Sequence, residues 1–198
     1  SNENLVYVAA HNGVTQILKA GVGDSVPTEI QTVSGLVGLV SSPNEKMIAM
    51  AVAPGGDGTA YRNLSVLDVS TGTIQHIVDL PCLGFFWTPD SKGLVVVSVD
   101  THRNLMTWSI VHLNGDIDPI SEMVPTRDFG FYLRFFEQYS QSHPIISADS
   151  QYLLVSGELF GEHGQGLDPG TWKIPLSGAR PSRICDGVFA VYGPSPMG

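Results

Sequence analysis

The amino-acid sequence predicts an all-β fold, a β-propeller of four-stranded antiparallel blades. Three observations lead to this prediction: a turn motif that recurs at the interval of one blade, an apolar strand after each turn, and Gly-containing hairpin turns between outer strands. The motif begins at residues 42, 88, 147 and 195 and reads Ser-Pro-Asn-Glu, Thr-Pro-Asp-Ser, Ser-Ala-Asp-Ser and Ser-Pro-Met-Gly. Its starts are 46, 59 and 48 residues apart, near the roughly 40 to 50 residues of a blade.

Each motif leads into a strand that is apolar at nearly every position, at 47–52, 94–99 and 152–156. Such strands must be covered on both faces, as the inner strands of stacked blades are. Four further strands end in turns whose glycine tolerates the positive φ of a tight hairpin; they lie at 5–10, 64–69, 106–113 and 171–176. Short outer strands follow at 14–18 and 74–78, and apolar innermost strands precede the motifs at 37–40, 83–87 and 188–192.

These strands divide the chain into a partial blade at 5–40, blades at 42–87, 88–146 and 147–192, and the start of another at 193–198. One strand is then missing for a ring of four, and an open stack would expose apolar blade faces. We therefore expect a longer native protein, of which this chain holds about three and a half to four blades. The alternative is that two chains pair to complete a larger ring. Trp87 and Tyr192 are expected to be buried between blades.

The motif also carries a family resemblance. Trp87-Thr88-Pro89-Asp90-Ser91 and the run Leu-Asp-Val-Ser-Thr-Gly at 67–72 resemble the repeat of TolB-type propellers. Ala148 and Met197 depart from that repeat, and no Gly-His or Trp-Asp pair of the WD-repeat family occurs. The resemblance implies a propeller fold along the whole chain. It implies no single function, because similar repeats occur in propellers attached to prolyl-oligopeptidase-like and tricorn-like peptidases.

Composition excludes several classes of partner. The formal net charge is −9, with 10 Lys and Arg among 198 residues. We therefore expect no binding to nucleic acid, whose phosphate backbone is also negatively charged. No apolar run approaches the roughly 20 residues of a membrane-spanning helix. The sequence leaves the compartment open between a periplasmic or other extracytoplasmic location and the cytoplasm, because a targeting segment could have been removed ahead of Ser1.

No set of residues predicts catalysis, a metal site or a cofactor. The six His residues show no i, i+2 or i+4 pair, and no Gly-x-Ser-x-Gly elbow occurs. The glycine-rich run at 161–166 precedes a strand and lacks the Lys and the helix of a phosphate loop. From this we expect a protein that is not an enzyme and that uses no cofactor or metal.

The long loops are predicted to share one face, because strand direction alternates within a blade. The segment 125–144 is rich in aromatic residues, and Tyr132, Phe135, Phe136 and Tyr139 have the spacing of one face of a helix. This stripe either packs on the blades or docks a partner; we expect Phe136 to be buried with Tyr132 and Tyr139, and Phe135 to be more exposed. The candidate binding residues are Asp57, Tyr61, Arg62, His102, Arg103, Arg127, Arg134, Phe135, Tyr139, His143, Glu162 and His163.

Two functions remain open at this point. The first is a non-catalytic binding or scaffold propeller that docks a protein or peptide on the long-loop face. The second is an accessory propeller that filters substrate for a prolyl-oligopeptidase-like or other hydrolase whose catalytic domain lies outside this chain. A homodimer is a further possibility if a second chain completes the ring.

Overall fold

The computed structural model describes residues 4–12, 14–21, 23–54, 60–161 and 164–193. The chain has two compact units, Ser1–Pro81 and Cys82–Gly198. Both are built from antiparallel sheets whose strands pair in sequence order. The all-β, propeller-like fold class is confirmed.

The first unit contains two sheets. A three-stranded sheet consists of β1 (Asn4–His11), β2 (Val14–Gly21) and β3 (Thr28–Ser34), and a four-stranded sheet consists of β4 (Leu36–Ser41), β5 (Met47–Ala53), β6 (Arg62–Asp68) and β7 (Ile74–Val78). Ile17 of the first sheet packs with Ile48, Met50 and Leu67 of the second. The core of this unit therefore lies between the two sheet faces, as in stacked blades.

The second unit is a single seven-stranded sheet with two short helices. Its elements are β8 (Cys82–Trp87), β9 (Gly93–Asp100), β10 (Leu105–His112), β11 (Ile117–Pro125), α1 (Arg127–Arg134), α2 (Phe136–Tyr139), β12 (Tyr152–Phe160), β13 (Gly170–Pro175) and β14 (Ser182–Cys185). The end of β11 pairs with the end of β12, from Glu122 opposite Phe160 to Pro125 opposite Gly157. The predicted blades at 88–146 and 147–192 are thus connected through one pair of strands, and the blade boundaries stay a prediction.

The recurrent turn has a chemical basis that the structure shows at three places. The hydroxyl of the first residue donates to the side chain of the third, from Thr88 to Asp90 at 2.6 Å and from Ser147 to Asp149 at 2.5 Å. The same first hydroxyl accepts the N–H of the residue that begins the next strand, such as Tyr152. The fourth residue has a positive φ, 59° at Ser91. Ser or Thr first and Asp or Asn third are therefore required by hydrogen bonding within the turn.

Several strands were predicted within a residue or two of their bounds, including Ile74–Val78 and Cys82–Trp87. β3 was missed because only two of its seven residues, Ile30 and Val33, are apolar, whereas the prediction relied on continuous apolar runs. The predicted innermost strand at 188–192 is wrong, since these residues pair with no strand. Trp87 is buried as predicted, but Tyr192 is only half-buried. The fourth turn motif lies outside the described residues.

Candidate functional site

Helix α1 starts where the sequence offers a cap. Thr126 follows Pro125, its hydroxyl accepts the backbone N–H of Phe129 at 3.2 Å, and Asp128 lies in the first turn. The helix ends at Phe135, whose φ of −117° and ψ of 29° are not helical. The continuous helical stripe expected from Tyr132 to Tyr139 is therefore interrupted at Phe135.

The inner side of this segment is core. Phe136 is buried, with its ring centroid 4.9 Å from that of Phe85 and 5.7 Å from that of Phe86 on β8. Tyr132 stacks on Phe86 at 5.9 Å with an angle of 7° between the ring planes. The Tyr132 hydroxyl donates to the carbonyl of His143 at 2.9 Å, and burial raises its pKa, so this phenol stays neutral.

The outer side exposes a second set of large side chains. Phe131 is 49% exposed, Phe135 45% and Tyr139 39%. The guanidinium of Arg127 lies 5.6 Å from the centroid of the Phe131 ring, within the range of a cation–π interaction. We call Arg127, Phe131, Arg134, Phe135 and Tyr139 the outer aromatic surface. Phe131 was missed at the sequence level, although its position four residues after Arg127 and four before Phe135 places it on the same side of a helix.

The expected contrast between two neighbouring residues is confirmed: Phe136 is buried and Phe135 is exposed. The expectation that Tyr139 is buried with Phe136 is wrong. The Tyr139 ring lies beside the Tyr132 ring, with centroids 6.3 Å apart, and it stands edge-on to the His143 ring, with centroids 5.4 Å apart. These contacts still leave Tyr139 39% exposed.

Two of the candidate residues belong to the turn between β9 and β10. Asp100 accepts the backbone N–H groups of Arg103 at 3.1 Å and His102 at 2.9 Å, and these bonds contribute to a lowered pKa of the Asp100 carboxyl. Arg103 binds Glu122 through both terminal nitrogens, at 2.5 and 2.7 Å. This bidentate pair ties the turn to β11, and it leaves His102 exposed at the tip.

The remaining candidates divide between the two units. Tyr61 and Arg62 lie at the start of β6 in the first unit, where Tyr61 is half-buried and Arg62 is exposed. Asp57, Glu162 and His163 lie outside the described residues. The structure therefore brings together five of the twelve predicted residues on the helical segment and its flank: Arg127, Arg134, Phe135, Tyr139 and His143.

Neither a metal centre nor a membrane span is seen in the part of the chain that the structure describes. No group of three or more His, Cys, Asp or Glu side chains there is arranged to hold a metal ion. No helix formed by the described residues is long and apolar enough to cross a bilayer.

No protein-family model matches the chain, and no curated protein is detectably similar to it in sequence. Several solved structures share its fold. An oligogalacturonate lyase from Vibrio parahaemolyticus aligns with a TM-score of 0.57 and 13% identity, over 87% of this chain and 43% of the lyase. TolB from Acinetobacter baumannii aligns with a TM-score of 0.52 and 13% identity, over 94% of this chain and 42% of TolB.

The β-propeller domain of the Trilobed protease from Pyrococcus furiosus is also similar, with a TM-score of 0.53 and 15% identity over 95% of this chain and 54% of that one. The chain thus spans between 42% and 54% of the length of these three structures. The TolB-like propeller fold is confirmed by these similarities. At such identities they show the fold alone.

The expectation that the chain is not an enzyme is contradicted by the same comparisons. Two of the similar structures are oligogalacturonate lyases, and another is the propeller of a protease. A propeller can assemble a catalytic site from loops that are far apart in sequence, so the lack of one local motif does not exclude such a site. No residue of this chain acquires a catalytic role from the comparison.

Proposed function

We propose that this chain is a propeller module that docks a protein or peptide, and that the outer aromatic surface is where it docks. The observation that carries the proposal is the division of α1 and α2 into two aromatic sides. The inner side alone accounts for the attachment of the segment to β8. The outer side leaves Phe131, Phe135 and Tyr139 exposed, although water contact disfavours such large apolar surfaces.

The chemistry of this surface fits protein recognition. Aromatic residues and Arg are the residue types most enriched among those that dominate binding energy at protein interfaces. The Phe131 ring offers a flat apolar surface, and the Arg127 guanidinium that lies over it offers hydrogen-bond donors to carboxylate or carbonyl groups. The α1 helix is held by its cap and by its buried side, so little conformational entropy is lost when a partner binds.

Selection of a peptide library on the immobilised protein tests the proposal. Peptides enriched on the wild-type chain are expected to lose about 2 kcal/mol of binding free energy, roughly 30-fold in Kd, with Phe135→Ala or Arg134→Ala. Matched controls are Leu167→Ala, an aliphatic residue of similar exposure, and Arg180→Ala, an exposed arginine of the turn before β14. Enriched peptides that bind all four variants equally would contradict this location.

A second candidate function is a propeller that filters substrate for a hydrolase. The similarity to the propeller domain of the Trilobed protease favours it. An active-site serine probe applied to the full-length polypeptide distinguishes the two, because labelling at a residue outside this chain is expected only for the hydrolase. Peptide binding by the isolated chain at the outer aromatic surface is expected only for the docking module.

A further inference from the structure

The outward side of α1 carries two arginines with an aromatic ring between them. The side of the helix that packs on the sheet is marked by its buried residues, which are Phe129, Tyr132 and Leu133. An α-helix turns by about 100° per residue, so Arg127, Phe131 and Arg134 lie opposite those residues and within about 60° of one another. All three are exposed. The most outward line of the helix is therefore cationic at both ends and aromatic in the middle.

The side chains of these two arginines are not used within the described part of the chain. Arg103, by contrast, binds Glu122 through both terminal nitrogens. Arg127 and Arg134 form no ion pair with another described residue, although the chain has 19 Asp and Glu for its 10 Lys and Arg. The guanidinium of Arg127 lies over the Phe131 ring at 5.6 Å from its centroid, a contact that uses no N–H donor for a hydrogen bond. Both guanidiniums can therefore donate to another molecule.

The position of Arg127 is unfavourable for the helix itself. It is the first residue of α1, directly after the Thr126 cap. The positive end of the helix dipole lies there, which disfavours a cation and favours an anion. Helix stability therefore does not explain an arginine at this position. A carboxylate bound to Arg127 would be attracted by the guanidinium and by the end of the helix together.

The acidic residues of the segment lie away from this line. Asp128 belongs to the first turn, but it is about 100° round the helix from Arg127, on the flank of α1. Glu137 belongs to α2, beyond the interruption at Phe135. Neither residue lies between Arg127 and Arg134, so the space over Phe131 is bordered by positive charge.

The spacing of the two arginines indicates the size of a matching ligand. Seven residues of α-helix separate their Cα atoms by about 10 Å along the axis. In an extended peptide every second side chain lies on the same side, and the first, third and fifth span about 13 Å. Flexible arginine side chains cover this small difference. An acidic-x-apolar-x-acidic segment can thus bring one carboxylate to each guanidinium and its apolar side chain to the Phe131 ring.

We propose that the outer aromatic surface binds an acidic peptide segment in which an apolar residue lies between two carboxylates. This inference rests on the proposed docking function and adds the class of partner. Arginine is suited to the role, because its planar guanidinium pairs with a carboxylate through two parallel hydrogen bonds. The net charge of −9 repels long polyanions. A short segment whose two charges both meet an arginine therefore fits this surface, whereas nucleic acid does not.

Two matched arrays of synthetic peptides test the inference. Peptides of the first array carry Glu two residues before and two residues after a central Leu, Phe or Tyr, and their twins in the second array carry Gln at both positions. The wild-type chain is expected to bind the Glu peptides about tenfold more tightly than the Gln twins. Raising the NaCl concentration from about 0.05 M to about 0.5 M should remove most of this difference, because salt screens exposed charges.

Substitutions locate the effect. Arg127→Gln and Arg134→Gln are each expected to weaken the Glu peptides by about tenfold and to leave the Gln twins unchanged. The matched control is Arg180→Gln, at an exposed arginine of the turn before β14, which should change neither array. The double variant Arg127→Glu with Arg134→Glu is expected to prefer peptides that carry Lys in place of Glu. Thermal unfolding shows whether each variant is folded.

The outcomes separate this inference from the docking function on which it rests. Equal binding of the Glu peptides and their Gln twins would overturn the acidic partner, and so would an equal loss of affinity in Arg180→Gln and Arg127→Gln. If the two arrays bind equally and Phe135→Ala weakens both, the docking function stands and only the acidic partner is wrong. Binding of neither array would also overturn the acidic partner, and the unbiased peptide library then decides the docking function by itself.

Discussion

Replacing Phe136 and Phe135 separately by alanine tests the two-sided structure of the aromatic segment. Phe136 is buried, and its ring lies against Phe85 and Phe86. A β-carbon added at Gly84 would lie 3.2 Å from the Phe136 ring, so the ring is packed on backbone as well as on side chains. Removing it leaves a cavity that the rigid β8 strand cannot close.

The expected cost of Phe136→Ala is about 3 to 5 kcal/mol of unfolding free energy. In a chain of this length that corresponds to a fall in Tm of roughly 6 to 20 °C. Phe135→Ala is expected to cost less than about 1 kcal/mol, because Phe135 is 45% exposed and no ring contact to it is seen among the described residues. The two residues are adjacent and both are phenylalanine, so the same side-chain atoms are removed in the two variants.

Thermal and urea unfolding of both variants measure the difference. Phe135→Ala should unfold within about 4 °C of the wild-type Tm and lose binding to the peptides selected on the outer aromatic surface. Equal losses of stability in the two variants would refute the assignment of Phe135 to a docking role, since Phe135 would then be a core residue. A stable Phe136→Ala variant would refute the packing described for β8.

Three further predictions follow from local geometry. Gly157→Ala should destabilise the second unit by about 2 kcal/mol or more in urea unfolding, because the added β-carbon would lie 2.2 Å from the Val124 carbonyl oxygen on the neighbouring strand. An unchanged unfolding midpoint would contradict the pairing of β11 with β12. Glu45→Gly should raise stability by roughly 0.5 to 1 kcal/mol, because the φ of 59° at this exposed turn residue strains a residue with a β-carbon. A loss of stability in urea unfolding would contradict this expectation. The pKa of Asp68 is lowered to about 2 by the hydroxyl of Ser70 and the N–H of Thr71. The ionised Asp68 carboxylate therefore stabilises the fold above its unfolded-state pKa, and this stabilisation is lost as the pH falls from about 4 through 2. Asp68→Asn should reduce the loss of Tm over that range, and an identical pH profile would contradict the assignment.

Much of the fold follows from local chemistry, which is why the sequence predicted it. The Ser147 hydroxyl donates to the side chain of Asp149, two residues later, so the turn motif is recognisable from the local sequence wherever it occurs. The continuous apolar run of β9 indicates burial on both faces without reference to any neighbour.

The tertiary structure decided the features that depend on partners far apart in sequence. The pairing of β11 with β12 sets Met123 opposite Leu159, and no local pattern specifies such a pair. Phe136 is buried and Tyr139 is 39% exposed, although both belong to α2 and both fit one helical face by spacing alone. The exposure of Phe131 depends on which side of α1 meets β8.

The sequence by itself therefore determined the all-β class, the repeat and the turn chemistry, because each arises from hydrogen bonds and apolar patterning within a few residues. It also pointed to the segment 125–144 as unusual. Only the tertiary structure decided that Phe131 and Tyr139 are surface residues, and that 188–192 lies outside every sheet. The physical reason is that burial and strand pairing depend on which distant surface a residue meets, and a linear pattern specifies the capacity to pair without specifying the partner.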